Sequence, residues 1–282
     1  MAACDTKMMF LEPWSTADRG NPFYRSDPDP GFDVKNFEWL SYPVSVTDAR
    51  ARMSSFTLDD HAFAFRRDPQ GGAPDVLKVF EDNVDEQVRE KYYPHVIRVV
   101  KEATGASEAI VFNHTVRRRD PSLGLFEGSK GRQQPASTVH CDQSAEGAIR
   151  RVQQLAEDKA DERLKGRCAI INVWRPIKGP VKDWPLAMMD GSTLSPSDVH
   201  PTDLWKKQYE RLGQTVNICQ AEGQQWYYLK DHQVDEVTLI KIWDNEENVP
   251  AKLCAHCAFE DPSTPPNAPL RESVEARCLV FY

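Results

Sequence analysis

The stretch Ser137-Thr138-Val139-His140-Cys141-Asp142 predicts a short β-strand that carries two metal-binding side chain types. Because successive side chains of a strand point to opposite faces, His140 and Asp142 share one face and Cys141 points to the other. One face of the strand therefore presents an imidazole and a carboxylate. The pattern is common by chance, and the alternative is a buried histidine beside an aspartate that caps the helix predicted from Ser144.

A second histidine in an apolar run supplies the third candidate ligand. His256 lies in the middle of Lys252-Leu253-Cys254-Ala255-His256-Cys257-Ala258-Phe259, which predicts another buried strand. Two histidines and one carboxylate on one face of an octahedron leave three positions open, and non-haem iron(II) oxygenases use this ligand set. His140, Asp142 and His256 are therefore the predicted catalytic and metal-binding residues, with Fe(II) as the metal.

A third pattern opens the last predicted strand, where Arg271-Glu272-Ser273 places a guanidinium and a hydroxyl group on one face. A guanidinium offers a planar fork of donors that binds a carboxylate in a bidentate way. Arg271 and Ser273 are predicted to bind the distal carboxylate of 2-oxoglutarate, whose keto-acid end would chelate iron beside dioxygen, the second substrate. Arg277 lies on the same face and is the rival anchor, and an ion pair at the strand edge is the structural alternative.

Arg175 and Tyr228 are two further candidates for cofactor binding. Arg175 could bind an acidic group inside the barrel, or it could point outward and pair with Asp183. Asn172 and Trp174 have the opposite parity on the same strand, so only one of the two sets can face the pocket. Tyr228 is predicted to place its hydroxyl group in the pocket.

Helical patterns precede the strand patterns along the chain. Apolar residues recur at helical spacing from Asn83 to Gly105 and again from Ser144 to Gly166. Short strand-like runs follow, separated by turns rich in Pro, Gly and Asp; they span 168–174, 186–189, 215–219, 225–229, 237–243, 255–259 and 274–281. This order predicts an α+β fold that is mostly β, with a double-stranded β-helix (a cupin-like jelly roll) as its core and helices on its flank.

The N-terminal quarter of the chain has no clear periodicity. Residues 1–75 are predicted to form an irregular arm, with one strand around Ala62 to Phe65. Helices plus the jelly-roll core then occupy 76–282, and residues 1–282 are predicted to be a single oxygenase domain. The chain ends at Tyr282 inside the last predicted strand, which leaves open that the natural chain is longer.

Composition and charge narrow the classes of partner. The net charge is −8 with a pI near 5.5, and the short basic run Arg117 to Arg119 is followed by Asp120, so no nucleic-acid partner is expected. No stretch approaches the roughly 20 apolar residues of a membrane span. The seven scattered cysteines suit reduced thiols, and Cys254 and Cys257 lack the second ligand pair of a structural zinc site. A cytoplasmic protein is predicted, and a homodimer is left open.

Several separate segments occur in a fixed order from about Tyr92 to the end of the chain. They are Asn113–Arg119, Val139–Gln143, Asn172–Ile177 with Gly179–Val181 and Pro185–Ala187, Trp226–Tyr228 leading to Lys241, and His256–Pro262 leading to Arg271–Arg277. Together they resemble the fungal gibberellin desaturase-like and cephem methoxylase-like oxygenases. The resemblance implies a jelly-roll core, Fe(II) held by His140, Asp142 and His256, and oxidation of a small molecule, often in secondary metabolism.

The resemblance does not fix the reaction. Members of such families hydroxylate, desaturate or cyclise, because hydrogen abstraction leaves a substrate radical whose fate depends on geometry. Arg271 and Ser273 are also similar to a pair in isopenicillin N synthase-like enzymes, where they hold a substrate carboxylate and no 2-oxoglutarate is used. The alternative to a 2-oxoglutarate-dependent oxygenase is therefore an iron oxidase of an amino acid or peptide-like substrate that forms, for example, an aziridine. A third alternative, a cupin-like binding protein without catalysis, is disfavoured by the intact triad.

Overall fold

Two β-sheets and a set of helices make up the part of the chain that a computed structural model describes, residues 3–124, 128–129 and 132–282. The strands are β1 (Ala3–Leu11), β2 (Phe23–Arg25), β3 (Trp39–Asp48), β4 (Phe63–Arg67), β5 (Glu108–Arg118), β6 (Gly128–Ser129), β7 (Arg132–Gln133), β8 (His140–Cys141), β9 (Cys168–Pro176), β10 (Leu186–Met189), β11 (Val199–Lys206), β12 (Glu210–Ile218), β13 (Trp226–Tyr228), β14 (Glu236–Asp244), β15 (His256–Ala258) and β16 (Glu272–Phe281). The α-helices are α1 (Thr16–Arg19), α2 (Leu58–His61), α3 (Pro74–Leu77), α4 (Val79–Asp82), α5 (Asp85–Lys91), α6 (Tyr93–Thr104), α7 (Ala145–Ala156) and α8 (Ala160–Arg163).

The two sheets pack face to face around the main hydrophobic core. The larger sheet has the strand order β1-β3-β13-β10-β15-β8-β12-β11-β2, and the smaller one β4-β14-β9-β16-β5-β7-β6. The core between them takes side chains from both sheets, among them Phe10, Cys141, Ile170, Met188, Ile240 and Leu279. The predicted mostly β fold with a jelly-roll core is confirmed.

A second core lies on the outer face of the smaller sheet. Helices α4 to α6 place Phe80, Val88 and Val96 against Val173 and Leu239 of that sheet. All nine residues of β9 are buried, because one of its faces packs on the larger sheet and the other on these helices. Helices α4 to α6 therefore flank the β-core on the side of the smaller sheet, whereas α7 packs against β12 of the larger sheet.

The helix pair predicted between Asn83 and Gly105 is found as α5 and α6. Pro94 lies in the first turn of α6, where its missing N–H needs no partner within the helix. Gly105 ends α6 with a φ of 72°, a left-handed conformation that costs glycine little. None of the helices in the described part of the chain is long and apolar enough to cross a bilayer.

The N-terminal region differs from the predicted irregular arm. β1 and β3 pair antiparallel along their length, from Ala3 opposite Thr47 to Leu11 opposite Trp39, and extend the larger sheet. The predicted strand near Ala62 is present as β4. Pro43 interrupts the strand pattern of β3. It pairs with β1 on one side only, because β13 pairs only with the residues from Val46 to Asp48. Pro43 therefore lies where β3 has an open edge, and a proline is tolerated there. Like β1 and β3, β11 lies outside the predicted strands.

A buried ion pair fixes Arg175 in the outer core. The guanidinium group of Arg175 bonds to the carboxylate of Asp68, to the Tyr92 hydroxyl oxygen at 3.2 Å and to the Val234 carbonyl oxygen at 2.6 Å. Arg175 and Asp68 are each only 1% exposed. Arg98 also pairs with Asp68 from the protein surface. This network ties β9 to helix α6 and to the loop after β4.

The substitution Arg175→Leu should lower the free energy of unfolding by about 3–5 kcal/mol, because it leaves the buried Asp68 carboxylate without its inner partner. The matched control is Arg67→Leu, since Arg67 forms an exposed ion pair with Asp235 and should contribute about 1 kcal/mol or less. Urea denaturation followed by circular dichroism measures both. Equal losses in the two variants would contradict the assignment of Arg175 to the outer core.

Candidate metal and cosubstrate site

Three side chains that could hold a metal ion meet where β8 and β15 run side by side. His140 and His256 are direct cross-strand partners, and their ring centroids lie 4.7 Å apart. Asp142 follows just after β8. One potential ligand atom from each of the three residues lies within 4.8 Å of the others. The fold therefore brings the predicted triad together from two distant parts of the sequence.

Backbone carbonyl groups orient both imidazole rings. His140 Nδ1 lies 2.8 Å from the Thr138 carbonyl oxygen, and His256 Nδ1 lies 3.1 Å from the Cys254 carbonyl oxygen. A hydrogen on each Nδ1 leaves the Nε2 lone pair available as a metal ligand. Burial, and next the neighbouring His140, lower the pKa of His256, which favours the neutral ring that a metal requires.

The carboxylate of Asp142 is held by two donors from the smaller sheet. Its Oδ2 atom accepts hydrogen bonds from Asn172 Nδ2 and Arg277 Nε, each at 2.7 Å, while Oδ1 lies 3.4 Å from His140 Nε2. Burial raises the pKa of Asp142, but the charge of Arg277 and the contacts with the two histidines outweigh it and hold the pKa well below its ordinary value. Two imidazole nitrogens and an ionised carboxylate are a donor set that fits Fe(II).

A narrow cavity leads from the metal-ligating side chains to the start of β16. It is lined by Thr115, Arg117, Ala136, His140, Trp174, Leu186, His256, Cys257, Ala258, Arg271, Ser273 and Glu275. The predicted carboxylate anchors Arg271 and Ser273 therefore share one cavity with two of the three candidate metal ligands.

The guanidinium group of Arg271 is buried at this cavity. Arg271 Nη1 donates to the Trp184 carbonyl oxygen at 2.6 Å, Nε donates to Ser273 Oγ at 3.3 Å, and the group lies 5.2 Å above the Trp174 ring. It forms no ion pair with a carboxylate among the described residues, and burial, followed by the charge of Arg117, lowers its pKa to about 9. A bound carboxylate would supply the missing counter-charge.

Arg277, the rival anchor, is already engaged. Besides its bond to Asp142, it donates to Thr115 Oγ1 at 2.8 Å and to Glu275 Oε1 at 2.6 Å. Its Nε, Nη1 and Nη2 atoms all have protein partners, so the geometry favours Arg271 for a ligand carboxylate. The contact between Arg277 and Asp142 was not predicted from the sequence, although alternation places Arg277 on the same face of β16 as Arg271 and Ser273.

Arg175 and Tyr228 do not reach the cavity, contrary to prediction. Asn172 and Trp174 lie on the face of β9 that points to the metal-ligating residues. Arg175 therefore lies on the opposite face and points into the outer core. Tyr228 is paired with Ala187 on the face of the larger sheet opposite to His256, and its ring packs edge-on against Phe259 at 5.3 Å. Alternation predicted that Arg175 and the pair Asn172 and Trp174 would lie on opposite faces of the strand. It did not predict which face would point to the cavity.

Arg117 and Glu275 are polar residues of the cavity that the sequence analysis did not select. Arg117 stands opposite Ser273 in the pairing of β5 with β16, and its Nη1 donates to the Gln134 carbonyl oxygen at 2.8 Å. It forms no ion pair with a described carboxylate. The signal in the sequence was its position in the basic run, which was interpreted only as too short to bind nucleic acid.

A wide cleft approaches the triad from another side. It has a volume of about 730 Å³ and is lined by Met9, Tyr24, Val34, Lys35, Phe37, Glu38, Trp39, Ala136, Thr138, His140, Asp142, Thr202, Leu204, Thr215 and Asn217. The narrow cavity and the wide cleft share Ala136 and His140. The candidate metal ligands therefore lie between a narrow charged space and a larger apolar one.

Comparisons with known proteins place the chain in a family. A family model described as "Oxidoreductase/YMDC permease-like domain" matches residues 8–281. The chain is 36% identical over 278 residues to "Fe(II)/2-oxoglutarate-dependent dioxygenase nvfI" of Aspergillus novofumigatus, which covers 99% of this chain and 96% of the relative. It is 31% identical over 264 residues to "Hydroxylase/desaturase efuI" of Hormonema carpetanum, covering 87% of this chain and 85% of that protein.

The fold comparison agrees with the sequence comparison. A solved structure, "iron and alpha-ketoglutarate-dependent endoperoxidase NvfI with different conformation", superposes with a TM-score of 0.91 at 35% identity, and the alignment covers 100% of this chain and 98% of that chain. The name of that protein includes iron and alpha-ketoglutarate (2-oxoglutarate), the two groups that the triad and the buried arginine were predicted to bind. The chain belongs to the family of fungal Fe(II)/2-oxoglutarate-dependent dioxygenases, a class of oxidoreductases.

Proposed function

We propose that His140, Asp142 and His256 bind the Fe(II) of this oxygenase, and that Arg271 and Ser273 bind the distal carboxylate of 2-oxoglutarate. One observation carries the assignment: two of the three candidate metal ligands, His140 and His256, line the same narrow cavity as a buried guanidinium group that has no carboxylate partner among the described residues. A dicarboxylate that filled this cavity would reach both.

Three further side chains prepare the cavity for its proposed ligand. The flat ring of Trp174 lies under the Arg271 guanidinium group and limits the directions in which its donors point. Arg117 adds a second, half-buried cation beside Ser273, which suits a ligand that carries two carboxylates. Glu275 is paired with Arg277, and this pairing reduces its repulsion of an incoming anion.

The residues around Asp142 set how the metal is presented. When bound, Fe(II) with 2-oxoglutarate supplies the activation of dioxygen that oxidises a carbon–hydrogen bond of the substrate. Asn172 and Arg277 both hold Oδ2 of Asp142, so Oδ1 is the oxygen that is left to bind a metal. Three protein ligands on one side leave the remaining positions to small molecules.

The wide cleft is the proposed site of a small-molecule substrate, because it borders His140 and Asp142 and is separate from Arg271. The substrate is proposed to be hydroxylated, desaturated or cyclised in fungal secondary metabolism. The alternative of an oxidase that uses no 2-oxoglutarate is disfavoured by the family. A cytoplasmic location, a single domain and a homodimer stay predictions.

The substitution His256→Ala should abolish stoichiometric Fe(II) binding, because two ligands on a single short segment cannot complete the three-ligand face. Metal content after anaerobic loading and gel filtration measures this. His95→Ala is the matched control, since His95 lies in α6 away from the triad, and it should retain one iron per chain. Retention of one iron by His256→Ala would refute the triad.

The substitution Arg271→Leu should weaken 2-oxoglutarate binding about 10- to 100-fold, since it removes charge-assisted hydrogen bonds to a buried carboxylate. Calorimetric titration of the anaerobic Fe(II)-loaded protein gives the Kd. Arg271→Lys should restore part of the affinity, because it keeps the charge and loses the planar fork. An unchanged Kd in Arg271→Leu would move the anchor to Arg117 or Arg277.

The substitution Asn172→Ala should weaken Fe(II) binding about 10- to 100-fold, because it removes one of the two donors that orient Asp142. Competition with a coloured chelator measures the affinity. Asn113→Ala, which changes an exposed asparagine of β5, serves as the control and should leave the affinity unchanged. The same affinity in both variants would mean that Arg277 alone positions the carboxylate.

A further inference from the structure

The size of the wide cleft bears on what it binds. Its volume of about 730 Å³ lies within the roughly 300–1,000 Å³ range of sites that enclose drug-sized ligands. An amino acid bound beside Asp142 would leave most of this space filled with water. The cleft is therefore larger than an amino acid needs, and an amino-acid substrate was the alternative that the sequence allowed.

The charged groups of the cleft are already paired. Among its described lining residues, the side chains of Lys35, Glu38 and Asp142 carry the charge. Lys35 Nζ lies 2.7 Å from Glu38 Oε2, and Asp142 is bound by Arg277. A ligand with its own carboxylate or ammonium group would find no free counter-charge among these residues, and desolvating an unpaired charge is costly.

The walls of the cleft are apolar and come largely from the N-terminal region. Val34 and Phe37 contribute from the segment that leads into β3, Trp39 from the start of β3, and Leu204 from β11. The rings of Phe37 and Trp39 pack edge to face with centroids 5.0 Å apart, which stabilises this wall. The region expected to be an irregular arm thus supplies the surface that a substrate would contact.

Two neutral polar side chains lie beside the candidate metal ligand His140. Asn217 is its cross-strand partner in β12, and Thr138 precedes it by two residues. Both line the cleft, and neither side chain forms a hydrogen bond with a described residue. They are placed to bind a carbonyl or hydroxyl oxygen of a ligand close to the metal-ligating residues.

From these observations we infer that the substrate is a bulky, uncharged and largely apolar molecule with at least one hydrogen-bonding oxygen. It lies between Trp39 and Leu204 with that oxygen near Asn217 and Thr138. This inference rests on the proposed function for the link to oxidation, but the binding preference belongs to the cleft itself and can be measured on metal-free protein.

The test uses two fluorescent probes with the same apolar skeleton, the methyl ester of pyrenebutyric acid and the free pyrenebutyrate anion. Titration of the metal-free protein in the presence of a chelator should show one saturable site per chain for the ester, with an affinity at least about 10-fold higher than for the anion. A large excess of mixed amino acids should not displace the ester.

Variants at Val34 assign this binding to the cleft. Val34 is 46% exposed, so a charged side chain there should not prevent folding. Val34→Glu should weaken ester binding at least about 10-fold. Val34→Lys should reduce the ratio of the affinity for the ester to the affinity for the anion, because it adds a positive charge to the cleft. Tyr209→Glu is the control, because Tyr209 is an exposed apolar residue outside the cleft lining, and it should bind the ester like the unaltered protein.

Two results would overturn the inference: the anion binds at least as tightly as the ester in the unaltered protein, or Val34→Glu and Tyr209→Glu bind the ester equally well. Neither result depends on iron or 2-oxoglutarate. If 2-oxoglutarate binds through Arg271 but the ester fails these tests, the substrate class is wrong and the proposed function stands. If the ester behaves as expected while Arg271→Leu leaves 2-oxoglutarate binding unchanged, the substrate class stands and Arg271 is not the anchor of 2-oxoglutarate.

Discussion

The carboxylate of Asp142 joins the two sheets at the centre of the site. It belongs to the segment after β8 in the larger sheet, and both donors that hold it, Asn172 and Arg277, come from the smaller sheet. The Asp142 side chain is only 14% exposed and needs such partners, because leaving a largely shielded charge unpaired is costly. The same contact therefore stabilises the sandwich and fixes a ligand oxygen beside two imidazoles.

The rest of the site follows from where this contact lies. Beyond the triad on the side of β16 is the narrow cavity with Arg271 and Arg117, and on the side of β12 and the N-terminal strands is the wide apolar cleft. A charged cosubstrate and an uncharged substrate would thus approach the metal ligands through surfaces of opposite character. With the proposed ligands, this separation would let each surface disfavour the ligand of the other, because each ligand would be poorly solvated in the wrong space.

Most of the fold could be predicted from local pattern. The positions of β10, β14 and β16 and of the helix pair before Gly105 agree closely with the apolar periodicity, since these elements bury a continuous face. The strands β1 and β3 escaped prediction because Pro43 and scattered polar residues break their alternation. β1 pairs with β3, and β3 also pairs with β13. These are contacts between distant segments, which local pattern does not encode.

The sequence by itself determined the three candidate metal ligands and the position of Arg271 and Ser273 on one face, because strand alternation and residue chemistry are local properties. The resemblance of several ordered segments to fungal oxygenases indicated the family. Only the tertiary structure decided that Arg277 holds Asp142 while Arg271 forms no ion pair with a described carboxylate. It also placed Arg175 against Asp68 in the outer core and turned Asn172 and Trp174 inward. Alternation divides residues between two faces, but which face meets the site depends on how the sheets pack, and that is set by contacts between segments far apart in the chain.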